Sequence, residues 1–116
     1  MKYEKGYIVI VKFPFIKEGH EIQKGRPALV INNTNIIKRY DDIILAAISS
    51  RIPSNIMEME IILKSGKSTG LIKKSLLRLD FIMTIPVELI SRKIGSVSEK
   101  TMETIDGELK KLFGVK

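Results

Sequence analysis

Apolar residues along this chain come in short runs of five to eight, separated by polar or glycine-containing breaks, until a different spacing takes over near the end. Tyr7 to Phe13 is rich in β-branched and aromatic residues and predicts a strand, which Pro14 should end or confine to an edge. Pro27 to Ile31 predicts a second strand and Asn32 to Asn35 a turn. Asp42 to Ser49 is apolar almost throughout, as a strand covered on both faces would be. Arg51 to Asn55 reads as a loop. Met57 to Leu63 begins in alternation and reads as a fourth strand. Ser65-Gly66 and Thr69-Gly70 read as turns. Leu76 to Leu79 and Phe81 to Ile85 predict two further strands joined through a bulge, and Ser91 to Val97 another.

From residue 98 the period changes. Ser98 is a good N-cap and Glu99 sits where the helix macrodipole favours an anion. Met102, Ile105, Leu109 and Leu112 then fall on one helical stripe, and Gly114 is placed to stop the helix. Gly107, inside it, costs about 1 kcal/mol against alanine, so packing is expected to offset it. Many short strands closed by one helix predict a small, strongly bent, mainly antiparallel β-barrel, read as one domain over residues 1–116. The stretch Ile16 to Arg26 should form a rim loop between the first two strands.

Composition narrows the function. There is no cysteine, so thiolate metal sites, disulfides and a cysteine nucleophile are out. The opening apolar run is too short for a signal-peptide core, and no run is long enough for a bilayer span. A cytoplasmic protein is the expectation. The formal net charge is +7, which biases a small domain toward polyanions or an acidic partner. From Lys64 to Arg78 there are five basic residues and no acidic one, a stretch able to follow a phosphate backbone.

The candidate chemistry is concentrated in Gly19-His20-Glu21-Ile22-Gln23-Lys24-Gly25-Arg26-Pro27, which carries the only histidine. Pro27 pushes Arg26 toward an extended conformation and so gives it a fixed entry into the next strand. A histidine, a carboxylate and an oriented guanidinium suit phosphate handling, and equally a solvated hairpin loop. Asp80 can cap a turn or pair with Arg78, and Ser49 ends a strand.

Taken together, Gly19-His20-Glu21-x-Gln23-x-Gly25-Arg26-Pro27, Ala46-Ala47-Ile48-Ser49-Ser50, Arg78-Leu79-Asp80 and Thr84-Ile85 resemble, in order and spacing, the MazF/PemK family of toxin ribonucleases. The resemblance runs from about Gly6 to Gly114. It implies an SH3-like barrel with a C-terminal helix, a homodimer, and metal-independent cleavage of single-stranded RNA with no cofactor. It also implies an acidic antitoxin as partner, with DNA bound only by the toxin–antitoxin complex, and no membrane role. By position, Arg26 matches the loop arginine that contacts the scissile phosphate, and Ser49 stands where threonine is usual. His20, Arg78 and Asp80 match the active set of the PemK branch. Glu21 matches a carboxylate of both branches. Glu21, Gln23, Lys24, Lys73 and Lys74 are the expected RNA contacts. Ile16 replaces a frequent threonine, and tryptophan is absent, so base stacking would fall to Phe15 and Tyr40. A gyrase inhibitor of the CcdB type, sharing the barrel, and a non-catalytic nucleic-acid-binding barrel are the competing readings.

Overall fold

β-Branched and aromatic residues give the first strand its length, and it runs further than the sequence predicts. The computed structural model describes residues 3–17 and 20–116, with side chains described outside residues 13–24. β1 spans Tyr7–Lys17 and β2 spans His20–Val30. Their ladder extends from Ile8↔Leu29 to Lys17↔His20 and includes Pro14↔Gln23. The stretch Ile16 to Arg26 is therefore mostly paired backbone, not the rim loop that its polar composition suggests. Among the described residues, β1 beyond Val11 pairs with β2 alone, β6 being matched only to Tyr7–Val11. Proline is tolerated in such a segment, since an outer edge needs no amide donor.

β3 (Asp42–Ser49), β4 (Glu60–Leu63), β5 (Ser75–Pro86) and β6 (Ile90–Ser96) complete a six-stranded antiparallel sheet of order β4-β5-β3-β2-β1-β6. A short 3-10 turn, Val87–Leu89, joins β5 to β6, and α1 spans Glu99–Phe113. This is a mainly β, barrel-like fold with a C-terminal helix. The sheet is not closed by strand pairing. Its two edges meet instead through the β4–β5 connection: the Ser96 amide donates to the Ser68 carbonyl at 2.8 Å. Gly70 and Gly95 make that approach feasible. A Cβ on Gly95 would lie 2.3 Å from the Thr69 carbonyl carbon, and one on Gly70 would lie 2.0 Å from the Ile94 oxygen.

The strands bury both faces, as the sequence of β3 predicts. One cluster holds Ile8, Leu29, Ala46, Ile48, Leu77, Leu79 and the helix residue Ile105. The other holds Val9, Val11, Ala28, Val30, Ile43, Leu45 and Ile85. Alternate residues of one strand feed opposite clusters, which is the period-two rule applied to a sheet covered on both sides.

β5 departs from that rule at one place. Ala46 faces Ile82 while Ala47 faces Arg78, so one step along β3 spans four along β5. Leu79, Asp80 and Phe81 form a three-residue bulge. The predicted break between two strands is this bulge within a single strand. The Leu79 amide donates to the Met59 carbonyl at 2.8 Å, so the bulge does not leave that donor unsatisfied. Met59 adopts φ 70° to present its carbonyl, an unusual conformation for a residue with a side chain. It also explains why β4 begins at Glu60 and not at Met57.

In α1 the Ser98 hydroxyl accepts from the Thr101 amide at 3.1 Å, and Gly114 takes the left-handed cap conformation at φ 68°. Ile105 is fully buried and Met102 and Leu109 pack beside it, whereas Leu112, the last residue of the predicted stripe, lies outside the core. Gly107 is exposed, and a Cβ there would meet nothing within 4 Å. Packing thus does not offset its helix penalty. Gly107→Ala is expected to stabilise the protein by about 0.5–1 kcal/mol, read as a higher urea midpoint at unchanged slope.

Candidate active site

The antiparallel register gathers the charged and hydroxyl residues. Ala28 faces Ala47, and Ala47 faces Arg78. Continuing that register two residues back along β2 and two forward along β3 brings Arg26 toward Ser49. Residues of one parity on β2 and β3 share a face, so Arg26, Ala47 and Ser49 lie on the side of the sheet that carries Ala28, Val30, Ile43 and Leu45. The result is a cleft of about 370 Å³ at the end of the second core, lined by Arg26, Pro27, Ala47, Ile48, Ser49, Arg78, Phe81 and Met83.

Arg78, the last paired residue before the bulge, and Asp80, at its centre, meet in a two-point pair. The guanidinium donates from Nε to Oδ1 at 3.3 Å and from Nη2 to Oδ2 at 3.1 Å. The Arg78 Cζ also stands 5.3 Å from the centre of the Phe81 ring, within cation–π range. Carboxylate and ring together fix the plane of the guanidinium, whose remaining N–H groups are left for another anion. The Ser49 oxygen accepts from the Arg51 amide at 3.1 Å. That bond uses a lone pair and not the hydroxyl proton, so Ser49 keeps its capacity to donate.

Hydrogen bonding from Arg78 lowers the pKa of Asp80; partial burial opposes the shift and the guanidinium charge adds to it. The same pair raises the Arg78 pKa further above its ordinary value. A carboxylate with a lowered pKa is a weaker proton acceptor. The sign for stability follows directly: the folded pKa is below the unfolded one, so the contribution is present above about pH 3.9 and lost as pH falls through the depressed folded value. Both side chains are 40% or more exposed, so solvent screening keeps that contribution small. The expected result is a carbon-NMR titration of the Asp80 carboxyl with a midpoint below the ordinary aspartate value, moved back toward it in Arg78→Ala.

Not every predicted site residue reaches this cleft. Lys73 and Lys74 are exposed in the β4–β5 connection, beyond the end of β3 that faces Leu76, and are not among the lining residues. The side chains of His20, Glu21, Gln23 and Lys24 lie outside the described residues, as does that of Phe15. The backbone register sets His20 opposite Lys17 and Glu21 opposite Ile16, at the far end of the β1–β2 ladder from Pro27. Tyr40 lines a different cleft, of about 420 Å³, with Tyr3, Lys38, Arg39, Asp41 and Asp42. There Lys38 already donates to the Asp42 carbonyl. Among the described residues, no group of three histidine, cysteine, aspartate or glutamate side chains is placed to hold a metal ion, and no helix is long and apolar enough to cross a membrane.

Phe81 and Met83 are the cleft residues that sequence reasoning did not single out, and Phe81 is the more telling. It shares strand parity with Leu77 and Leu79, both buried, and so reads as core. The available signal was the bulge itself, since an odd surplus of residues turns the next side chain to the other face.

Comparisons with known proteins agree with this fold. The family profile described as PemK-like, MazF-like toxin of type II toxin-antitoxin system matches residues 4–113. No curated protein matches the sequence. Among solved structures, a MazE–MazF complex from Deinococcus radiodurans superposes with a TM-score of 0.77 at 17% identity, covering 98% of this chain and 97% of that one. An endoribonuclease in complex with its cognate antitoxin, from a mycobacterial species, gives 0.74 at 15% identity over 99% and 98% of the two chains. The Mycobacterium tuberculosis toxin MazF-mt6 gives 0.73 at 18% identity over 95% and 98%.

Proposed function

Since the chain belongs to the PemK-like, MazF-like toxins of type II toxin-antitoxin systems, we propose that it is a metal-independent, sequence-selective endoribonuclease that cuts single-stranded RNA in the cytoplasm. The observation that carries this reading is the convergence of Arg26, Ser49 and Arg78 on one cleft.

Cleavage of this kind moves one proton at each end of the reaction. The 2′-hydroxyl loses its proton to a base and its oxygen attacks the adjacent phosphorus. The bond to the 5′-oxygen breaks, and an acid protonates that oxygen. The products are a 2′,3′-cyclic phosphate and a 5′-hydroxyl. Between the two proton transfers, negative charge accumulates on the phosphoryl oxygens, and preorganised donors around them supply the largest stabilisation. Arg26 and Arg78 fill that role through their planar forks, and Ser49 adds a hydroxyl donor. Arginine as the proton donor is disfavoured by its high pKa. The lowered pKa of Asp80 suits it to holding Arg78 in plane more than to taking a proton. Along one chain Glu21 and His20 stand at the far end of the β1–β2 ladder, about 16 Å or more from Arg26 along an extended strand. They would serve as base and acid only where the ladder of a second copy lies over the cleft. Gln23, Lys24, Lys73 and Lys74 would hold the RNA on either side.

The active form is proposed to be a homodimer, neutralised by an acidic antitoxin, with DNA bound only by the complex. The net charge of +7 favours an acidic peptide over these surfaces.

One gel tests the reading. Defined single-stranded RNAs incubated with the protein in excess chelator should yield discrete fragments ending in cyclic phosphate and beginning with 5′-hydroxyl. Salt-sensitive binding without scission would instead mark a non-catalytic RNA-binding barrel. Gyrase inhibition without scission would mark a CcdB-type toxin.

A further inference from the structure

An exposed phenylalanine on a bulge needs a physical reason. Phe81 leaves 47% of its surface in solvent, although its strand parity matches Leu77 and Leu79, which are buried. The three-residue surplus in β5 turns the ring out of the core and into the cleft. Bulges beside functional sites re-aim side chains in this way. Exposing the ring forfeits much of the stabilisation its burial would give, unless something flat and apolar covers it when the protein acts.

The surroundings specify that covering group. Pro27, Ala47 and Met83 line the cleft with Phe81 and provide an apolar floor without side-chain hydrogen-bond donors. The polar lining consists of Arg26, Arg78 and Ser49. Arg78 lies within 5.3 Å of the ring centre, so an anion at the guanidinium and a flat group on the ring would be immediate neighbours. A phosphate joined to an aromatic base has that shape and charge distribution, and aromatic side chains bind bases of single strands through their π-faces.

We propose that Phe81 is the stacking platform for a nucleobase adjacent to the phosphate held by Arg26 and Arg78. The proposal rests on the RNA reading of this same site and names a specificity determinant within it. Because the floor offers stacking and not hydrogen bonds, this position selects by stacking area, purines over pyrimidines, and does not read the edge of the base.

The test uses the full-length protein and short 2′-O-methyl RNAs, which cannot be cut because the 2′-oxygen carries no proton. A 2-aminopurine is walked along the strand, and its fluorescence should be quenched at one position on binding. Phe81→Ala should weaken binding about tenfold or more and abolish the quench. Phe81→Trp should retain both, and Phe81→Leu should restore neither. An abasic residue at the quenched position should weaken wild-type binding by a similar factor and leave Phe81→Ala unchanged, the signature of a direct pair. The proposal is overturned if Phe81→Leu binds as wild type, or if the abasic residue weakens both proteins equally. It is also overturned if sedimentation shows that Phe81→Ala alters the oligomeric state and binding falls with it, since the ring would then be covered by a second copy of the chain. The two readings fail separately. Phe81-dependent binding with no cleavage of unmodified RNA removes the ribonuclease and keeps the platform. Normal cleavage and binding by Phe81→Ala removes only the platform.

Discussion

Arg26→Ala is expected to reduce RNA cleavage by about 10²- to 10³-fold, the loss typical of removing one preorganised donor from a developing oxyanion. Arg26 is exposed and stands at the mouth of the cleft, so the fold should survive and the thermal midpoint should stay close to that of wild type. Arg26→Lys keeps the charge but not the planar fork, and should recover only part of the rate. The measurement is the initial rate on one mapped site under chelation, with the melting curve recorded on the same preparations. Full activity in the alanine variant would take Arg26 out of the mechanism and leave Arg78 as the phosphate ligand.

The largest effect on stability is expected at the seam between the sheet edges. Gly95→Ala places a Cβ 2.3 Å from the Thr69 carbonyl carbon and oxygen and 2.5 Å from the Ser68 oxygen. These are backbone atoms, and no side chain can rotate away to admit the methyl group. Overpacking of this kind costs about 2–3 kcal/mol, on the order of 10 °C in Tm for a protein this small. Gly70→Ala should cost more, because its φ of +73° adds backbone strain to a 2.0 Å approach to the Ile94 oxygen. Gly66→Ala is the control, being a positive-φ glycine with nothing within 4 Å of its would-be Cβ, and isolates the backbone part of the effect. A Gly95→Ala protein that melts with wild type would show that the seam is not needed to hold the barrel together.

Much of the fold was legible because local chemistry and tertiary structure agree. Asp42 to Ser49 is a strand in both readings, its continuous apolar run matching burial on two faces. Ser98 and Gly114 mark the helix ends where the structure has them. The failures among the strands share one cause, which is that pairing partners are not written locally. Polar residues between Ile16 and Arg26 look like a loop, yet the ladder with β1 continues through them, because backbone hydrogen bonds do not depend on side-chain polarity. Met57 to Met59 alternate like a strand, yet Met59 turns left-handed to satisfy a bulge some twenty residues away. Within the cleft, Arg26, Ser49 and Arg78 could be named from the resemblance, and their shared face follows from strand register. Phe81 was not named: a bulge was predicted beside it, but the odd length that sets the ring's direction shows only once β3 is laid beside β5.

That surplus also fixes a phase. Leu77 and Leu79 feed the cluster that includes the helix, whereas Met83 and Ile85, of the same parity, pack in the other. An insertion of odd length exchanges the two faces of everything downstream, and this one lets a single strand serve both cores while turning a ring outward between them. Length at residues 79–81 is therefore constrained in its own right, apart from the side chains they carry. Trimming one residue would send Met83 and Ile85 to the wrong side and uncouple the cleft from the interior beneath it.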